Sequence, residues 1–170
     1  MKKTILNGIL ISLAMILSYM ERLFPVALFI PLPGIKLGLA NIVTLFALFY
    51  LNIPSAVAIN IIRCILVALL FGNITSLLFS VFGALSALLV MALLKPGYGK
   101  YFSLMGISMA GAAAHNVGQM IAASIILKDT GIFSYLTILL IGSIFTGLLT
   151  AIVASNLFAH INKLNFLEIE

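Results

Sequence analysis

The sequence predicts an all-α integral membrane protein: a bundle of six transmembrane helices with an ordered, proline-rich loop between the first and second. Three observations carry that expectation. Hydrophobic residues make up 64% of the 170 and charged residues only 8%, against about 45–50% and about 25% in soluble domains. Mean hydropathy is +1.30. The apolar residues also fall into long runs separated by short turn signals. A span takes about 20 residues to cross about 30 Å of hydrocarbon, so six spans fill most of a single membrane domain, 1–170. A water-soluble enzyme, a disordered tail and a disulfide-built secreted module are excluded. Cys64, the one cysteine, lies in an apolar run and has no second cysteine to pair with.

The first span is expected near 4–22. Lys2 and Lys3 followed by the apolar run 5–20 imitate a signal peptide, but no small-x-small cleavage site closes the run, so the helix is expected to be retained. Pro25, Pro31, Pro33 and Gly34 forbid a regular helix over 24–34. That stretch reads as a loop that re-enters or caps the membrane. Span two is expected near 36–51 and span three near 54–71, joined by a turn at Asn52-Ile53-Pro54. Gly72-Asn73 leads into span four, near 74–94. The sharpest break is Lys95-Pro96-Gly97-Tyr98-Gly99-Lys100, after which span five is expected near 101–127 and span six near 133–160.

Net charge is +5, and several of the cations sit at span ends. With the N-terminus inside, Lys2, Lys3, Lys95, Lys100 and Lys163 are cytoplasmic, and Arg22, Lys36 and Lys128 are outside. This modest positive-inside bias is expected to place both termini in the cytoplasm. It explains the basic balance without nucleic acid.

Helices in lipid gain no hydrophobic reason to associate, so close backbone approach must do more of the work. Small residues recur every four positions at Gly106-Ala110-Ala114-Gly118-Ala122 in span five. Span six has two such rows, Ser143-Gly147-Ala151-Ser155 and Gly142-Thr146-Thr150-Ala154. Span four carries Gly83-Ala87 and Ser76-Ser80-Ala84, and span one Gly8-Ser12 and Ala14-Ser18. Internal packing is the simplest use of these rows; a docking face for another membrane protein is the sharper one.

Three polar constellations stand out in the apolar runs. Arg63 lies about nine residues, or roughly 13 Å of helix, from either end of span three, and a mid-membrane arginine costs on the order of 2.5–3.5 kcal/mol. Two compensations are open: a structural pair with Glu21 or backbone carbonyls, or a cavity that receives an anionic ligand, with Asn60 sharing the same face. His115, Asn116 and Gln119 sit within five residues of span five. They suit either interhelical hydrogen bonds or the reading of a ligand's polar edge. Lys36 precedes a helix start that carries Asn41 and Thr44 on one face. It suits an interfacial anchor or an anion at a helix N-terminus. No carboxylate pair, metal-ligand cluster or Walker-type loop is present. Binding or passage is therefore expected, without catalysis and without a cofactor.

At Phe24-Pro25, at Pro31-Leu32-Pro33-Gly34-Ile35-Lys36-Leu37-Gly38-Leu39-Ala40-Asn41 and at His115-Asn116-Val117-Gly118-Gln119, the chain resembles a bacterial family. It is the Gx transporter, or heptaprenyl diphosphate synthase component I, family. The likeness runs over nearly the whole chain, including Arg63, Leu70-Phe71-Gly72 and Gly83-Ala84-Leu85-Ser86. That family in turn resembles the S components of energy-coupling factor (ECF) transporters. The resemblance implies six helices, a gating loop after the first and a ligand cavity toward the outer side. It also implies uptake of a small polar or anionic, vitamin- or cofactor-like molecule, with ATP hydrolysed by partner subunits. S components often dock on their coupling subunit through Ala-x-x-x-Ala in the first helix; the nearest matches here are Ala14-x-x-x-Ser18 and Gly8-x-x-x-Ser12. The family's synthase name implies another role. Prenyl diphosphate synthases use aspartate-rich motifs, whereas the one aspartate here, Asp129, lies in a loop. A polyprenyl- or quinone-lipid-binding accessory protein of isoprenoid or electron-export systems is the alternative expectation.

Overall fold

The computed structural model describes residues 3–23 and 39–164. The proline-rich segment expected to form a gating loop, with Lys36, lies outside the described residues. Among the described residues six α-helices follow one another: α1 Lys3–Leu23, α2 Asn41–Tyr50, α3 Ile53–Phe71, α4 Ile74–Leu94, α5 Leu104–Leu127 and α6 Leu136–Leu164. Short 3₁₀ turns at Lys95–Gly97 and Gly131–Tyr135 precede α5 and α6.

Local chemistry fixes the helix starts. The Asn52 side chain accepts from the Ser55 N–H at 2.8 Å, the Asn73 side chain from the Ser76 N–H at 2.8 Å, and Ser103 Oγ from the Gly106 N–H at 3.1 Å. Each satisfies an amide that the first helical turn leaves open. Capping by Ser103 is why α5 begins at 104 rather than at 101 as expected: Gly97 O already takes the N–H groups of Lys100, Tyr101 and Phe102 in a compact turn. α5 ends at Lys128, whose φ of 52° puts it in the left-handed region common just past a helix C-terminus.

Five helices, α1 and α3 to α6, are long and apolar enough to cross a membrane. The second expected span corresponds to a shorter helix among the described residues. α2 has 10 residues, about 15 Å of helix, half the thickness of a hydrocarbon core. It is a central element: every residue from Asn41 to Leu48 is buried. The other helices form an arc around it in the order α1, α3, α4, α5, α6, and each of them packs against α2. An apolar helix enclosed on all sides has no need for an amphipathic stripe.

The outer surface is hydrocarbon-like. Leu69, Ile74, Leu89, Leu93, Ile125 and Phe145 are all at least 60% exposed. In water such a surface would aggregate; in lipid it is solvated.

Small residues set the closest helix approaches. A Cβ on Gly118 would meet the Phe82 carbonyl at 2.6 Å, and one on Gly147 would meet Met109 Cα at 2.5 Å. These positions bring α5 against α4 and α6 respectively. Gly8 and Gly142 have open space around them, and Gly106 meets only Ser103 Oγ at 3.6 Å.

At the end of the bundle where α2 finishes, Phe46, Tyr50 and Phe158 form an aromatic cluster, and Phe49 meets Tyr98 edge-on with centroids 5.1 Å apart. Lys95 Nζ donates to the Leu48 carbonyl at 2.6 Å and lies 5.5 Å from the Phe49 ring centre. It thus closes the negative end of the α2 dipole.

Candidate ligand-binding site

Arg63 is 3% exposed. α3 carries it inward, and two neutral oxygens receive its guanidinium. Nη1 donates to Ser18 Oγ on α1 at 2.9 Å, and Nη2 to Asn60 Oδ1 one turn back on α3 at 3.2 Å. The same Asn60 oxygen accepts from Thr44 Oγ1 on α2 at 3.0 Å. One amide oxygen therefore ties α2 to α3, and the guanidinium ties α3 to α1.

Two further residues belong to this junction. α2 and α3 run antiparallel across the short connection at Leu51-Asn52, and Thr44 meets Asn60. One turn back along α2 is Asn41, and one turn on along α3 is Arg63, so Asn41 comes level with the arginine. On α1, Glu21 follows Ser18 by one turn and accepts from the Leu39 N–H, just ahead of α2. Glu21 and Arg63 are the two buried charged side chains among the described residues.

The junction is under-satisfied. Arg63 Nε, Asn60 Nδ2 and both side-chain polar atoms of Asn41 are buried with no hydrogen-bond partner. Buried polar groups are normally paired, at a cost of roughly 1–3 kcal/mol each when they are not. Four such atoms belong to this one three-helix junction.

A second polar group lies on α5. His115 and Gln119 pack against Gly83 of α4, whose added Cβ would sit 2.9 Å from a carbon of each. Asn116, turned toward α6, donates to the Leu139 carbonyl at 2.9 Å, while its Oδ1 is buried without a partner. The sequence placed these three residues together; the structure turns His115 and Gln119 toward α4 and Asn116 toward α6.

The family model described as heptaprenyl diphosphate synthase component I matches residues 10–157. The chain belongs to this family. No curated protein and no solved structure matches it.

The matched region of this heptaprenyl diphosphate synthase component I family member contains the whole Arg63 junction and the α5 group. Of the residues expected to contact a ligand, Arg63 and Asn60 are bonded to each other, with Asn41 one turn from Thr44 on α2 and Glu21 one turn from Ser18 on α1. Glu21 is bonded to the Leu39 amide, and the bonds described for Arg63 go to Ser18 and Asn60.

The four docking residues divide between faces. Gly8 and Ser12 are exposed, whereas Ala14 and Ser18 are buried. Ala14 belongs to the apolar core around α2 and Ser18 to the Arg63 junction, so neither forms part of an outward docking face. Ser18, expected at a docking face, accepts from Arg63, and Thr44, noted in the sequence beside Asn41, donates to Asn60. The available signal was spacing: Ser18 lies one turn from Glu21, and Thr44 one turn from Asn41. Lys95, read only as a span-end cation, holds the far end of α2.

Proposed function

We propose that this chain is the substrate-binding membrane subunit of an ECF-type transporter, taking up a small polar or anionic, vitamin- or cofactor-like molecule and performing no chemistry itself. One observation carries the reading: a buried guanidinium bonded to neutral oxygens, with its Nε buried and without a hydrogen-bond partner. A purely structural arginine would be compensated on every edge. Asn60, Asn41 and Glu21 line the site with it, the α5 group of His115, Asn116 and Gln119 supplies a second polar wall, and the loop carrying Lys36 gates entry. ATP hydrolysis and coupling belong to partner subunits, and Gly8 and Ser12 on the exposed side of α1 are the residues left for docking.

A second reading is favoured by the family's name and by an apolar groove of about 520 Å³ between α3 and α4, lined by Val57, Leu85, Leu89 and Ala92 among others. In that reading the chain binds a polyprenyl or quinone lipid for a separate enzyme. The two are separated by thermal unfolding of the purified protein with the water-soluble and lipid fractions of a cell extract. Stabilisation by the water-soluble fraction, lost in Arg63→Gln, supports the transporter subunit. Stabilisation by the lipid fraction alone, retained in Arg63→Gln, replaces it with the accessory protein.

A further inference from the structure

We infer that the ligand presents a single planar carboxylate to Arg63, and that the site is unsuited to a phosphate or diphosphate. This rests on the reading of the Arg63 junction as a ligand site and names the chemistry of what it takes. Charge comes first. Among the described residues the buried charges are one cation, Arg63, and one anion, Glu21. The two already sum to zero, so an anionic ligand leaves a net negative charge that is smallest, one, for a monocarboxylate. A diphosphate would bring two or three, and the excess would sit in a medium where each uncompensated ion costs several kcal/mol.

Geometry points the same way. Nη1 and Nη2 each spend a hydrogen on Ser18 and Asn60, from α1 and α3, while Nε is buried and open. A guanidinium offers Nε and its neighbouring Nη as a flat, parallel pair of donors, which matches the two coplanar oxygens of a carboxylate. The remaining open atoms agree. Asn60 Nδ2 and Asn41 Nδ2 are donors, so the site is rich in donors and wants an acceptor-rich partner. Asn41 Oδ1 is the one open acceptor at the junction. It suits a hydroxyl or N–H carried on the body of the same ligand.

The chain has two arginines, Arg22 and Arg63, so its guanidinium Nε–H signals can be read one by one. Protein labelled with ¹⁵N-arginine is purified in mild detergent, and Arg22→Lys assigns the two resonances. Sodium acetate and sodium pyrophosphate are titrated separately at constant ionic strength, acetate into the sub-molar range. The expected result is a saturable shift of the Arg63 Nε–H with acetate, at a midpoint about tenfold or more below that of pyrophosphate, or about 1.4 kcal/mol. The Arg22 signal should stay unsaturated. A pyrophosphate midpoint below that of acetate overturns the carboxylate assignment while leaving a polar-ligand site at Arg63. An Arg63 signal that moves with neither anion, in protein whose amide spectrum is that of the folded state, overturns the assignment and the ligand site together.

Discussion

Arg63 sits where an arginine is expensive, and the structure gives its guanidinium partial, neutral compensation. A buried charge retained for folding alone is a poor bargain, since well-packed apolar replacements are often neutral or stabilising. Arg63→Met is therefore expected to unfold no earlier than the unmodified protein in detergent, while ligand binding is lost. A large fall in unfolding temperature for Arg63→Met would instead make the arginine a structural strut. Ser18→Ala removes one neutral acceptor from the guanidinium. Its expected cost is about 0.6 kcal/mol, typical of an interhelical hydrogen bond in a membrane, read by thermal or steric-trap unfolding. Sequence alone singled out Arg63, Asn60 and Glu21, because charged and amide side chains in apolar runs are conspicuous. It could not reveal that Ser18 accepts from the arginine: serine is common at helix interfaces, and only tertiary packing decides which interface it serves.

Two helix starts were plain in the sequence because capping is local: Asn52 and Asn73 each stand immediately before an apolar run and cap it, whereas the Ser103 cap puts the start of α5 three residues past the expected one. The start and place of α2 were not plain, since periodicity cannot separate a buried ten-residue helix from a short span. Small-residue rows were visible too, yet their use is uneven. Gly147→Ala would force a methyl into the Met109 backbone and is expected to destabilise by about 1–3 kcal/mol. Gly142→Ala, five residues earlier with nothing within 4 Å, should be neutral or stabilising by up to about 1 kcal/mol, given glycine's poor helix propensity. Equal effects at the two positions would show that α6 does not approach α5 through Gly147. Lys95→Met deletes the closure of the α2 C-terminus on Leu48 and should cost about 1 kcal/mol, measured by the same unfolding assay.

For the molecule as a whole, an arc of five long helices encloses one short buried helix, and the start of that helix meets α1 and α3 at the Arg63 junction. Composition alone dictated the hydrocarbon-facing exterior. The enclosure of α2 depends on which faces pair across the bundle, and no local pattern encodes that. Because the first turns of α2 lie in the junction, a ligand there bears directly on how α1, α2 and α3 are held together. The most direct test is to purify the protein in mild detergent and identify what leaves with it by native mass spectrometry, alongside Arg63→Gln. A water-soluble carboxylate bound at one per chain, absent from Arg63→Gln, is the expected result. A polyprenyl or quinone lipid retained equally by both proteins would contradict it and move the function to the lipid-facing surface.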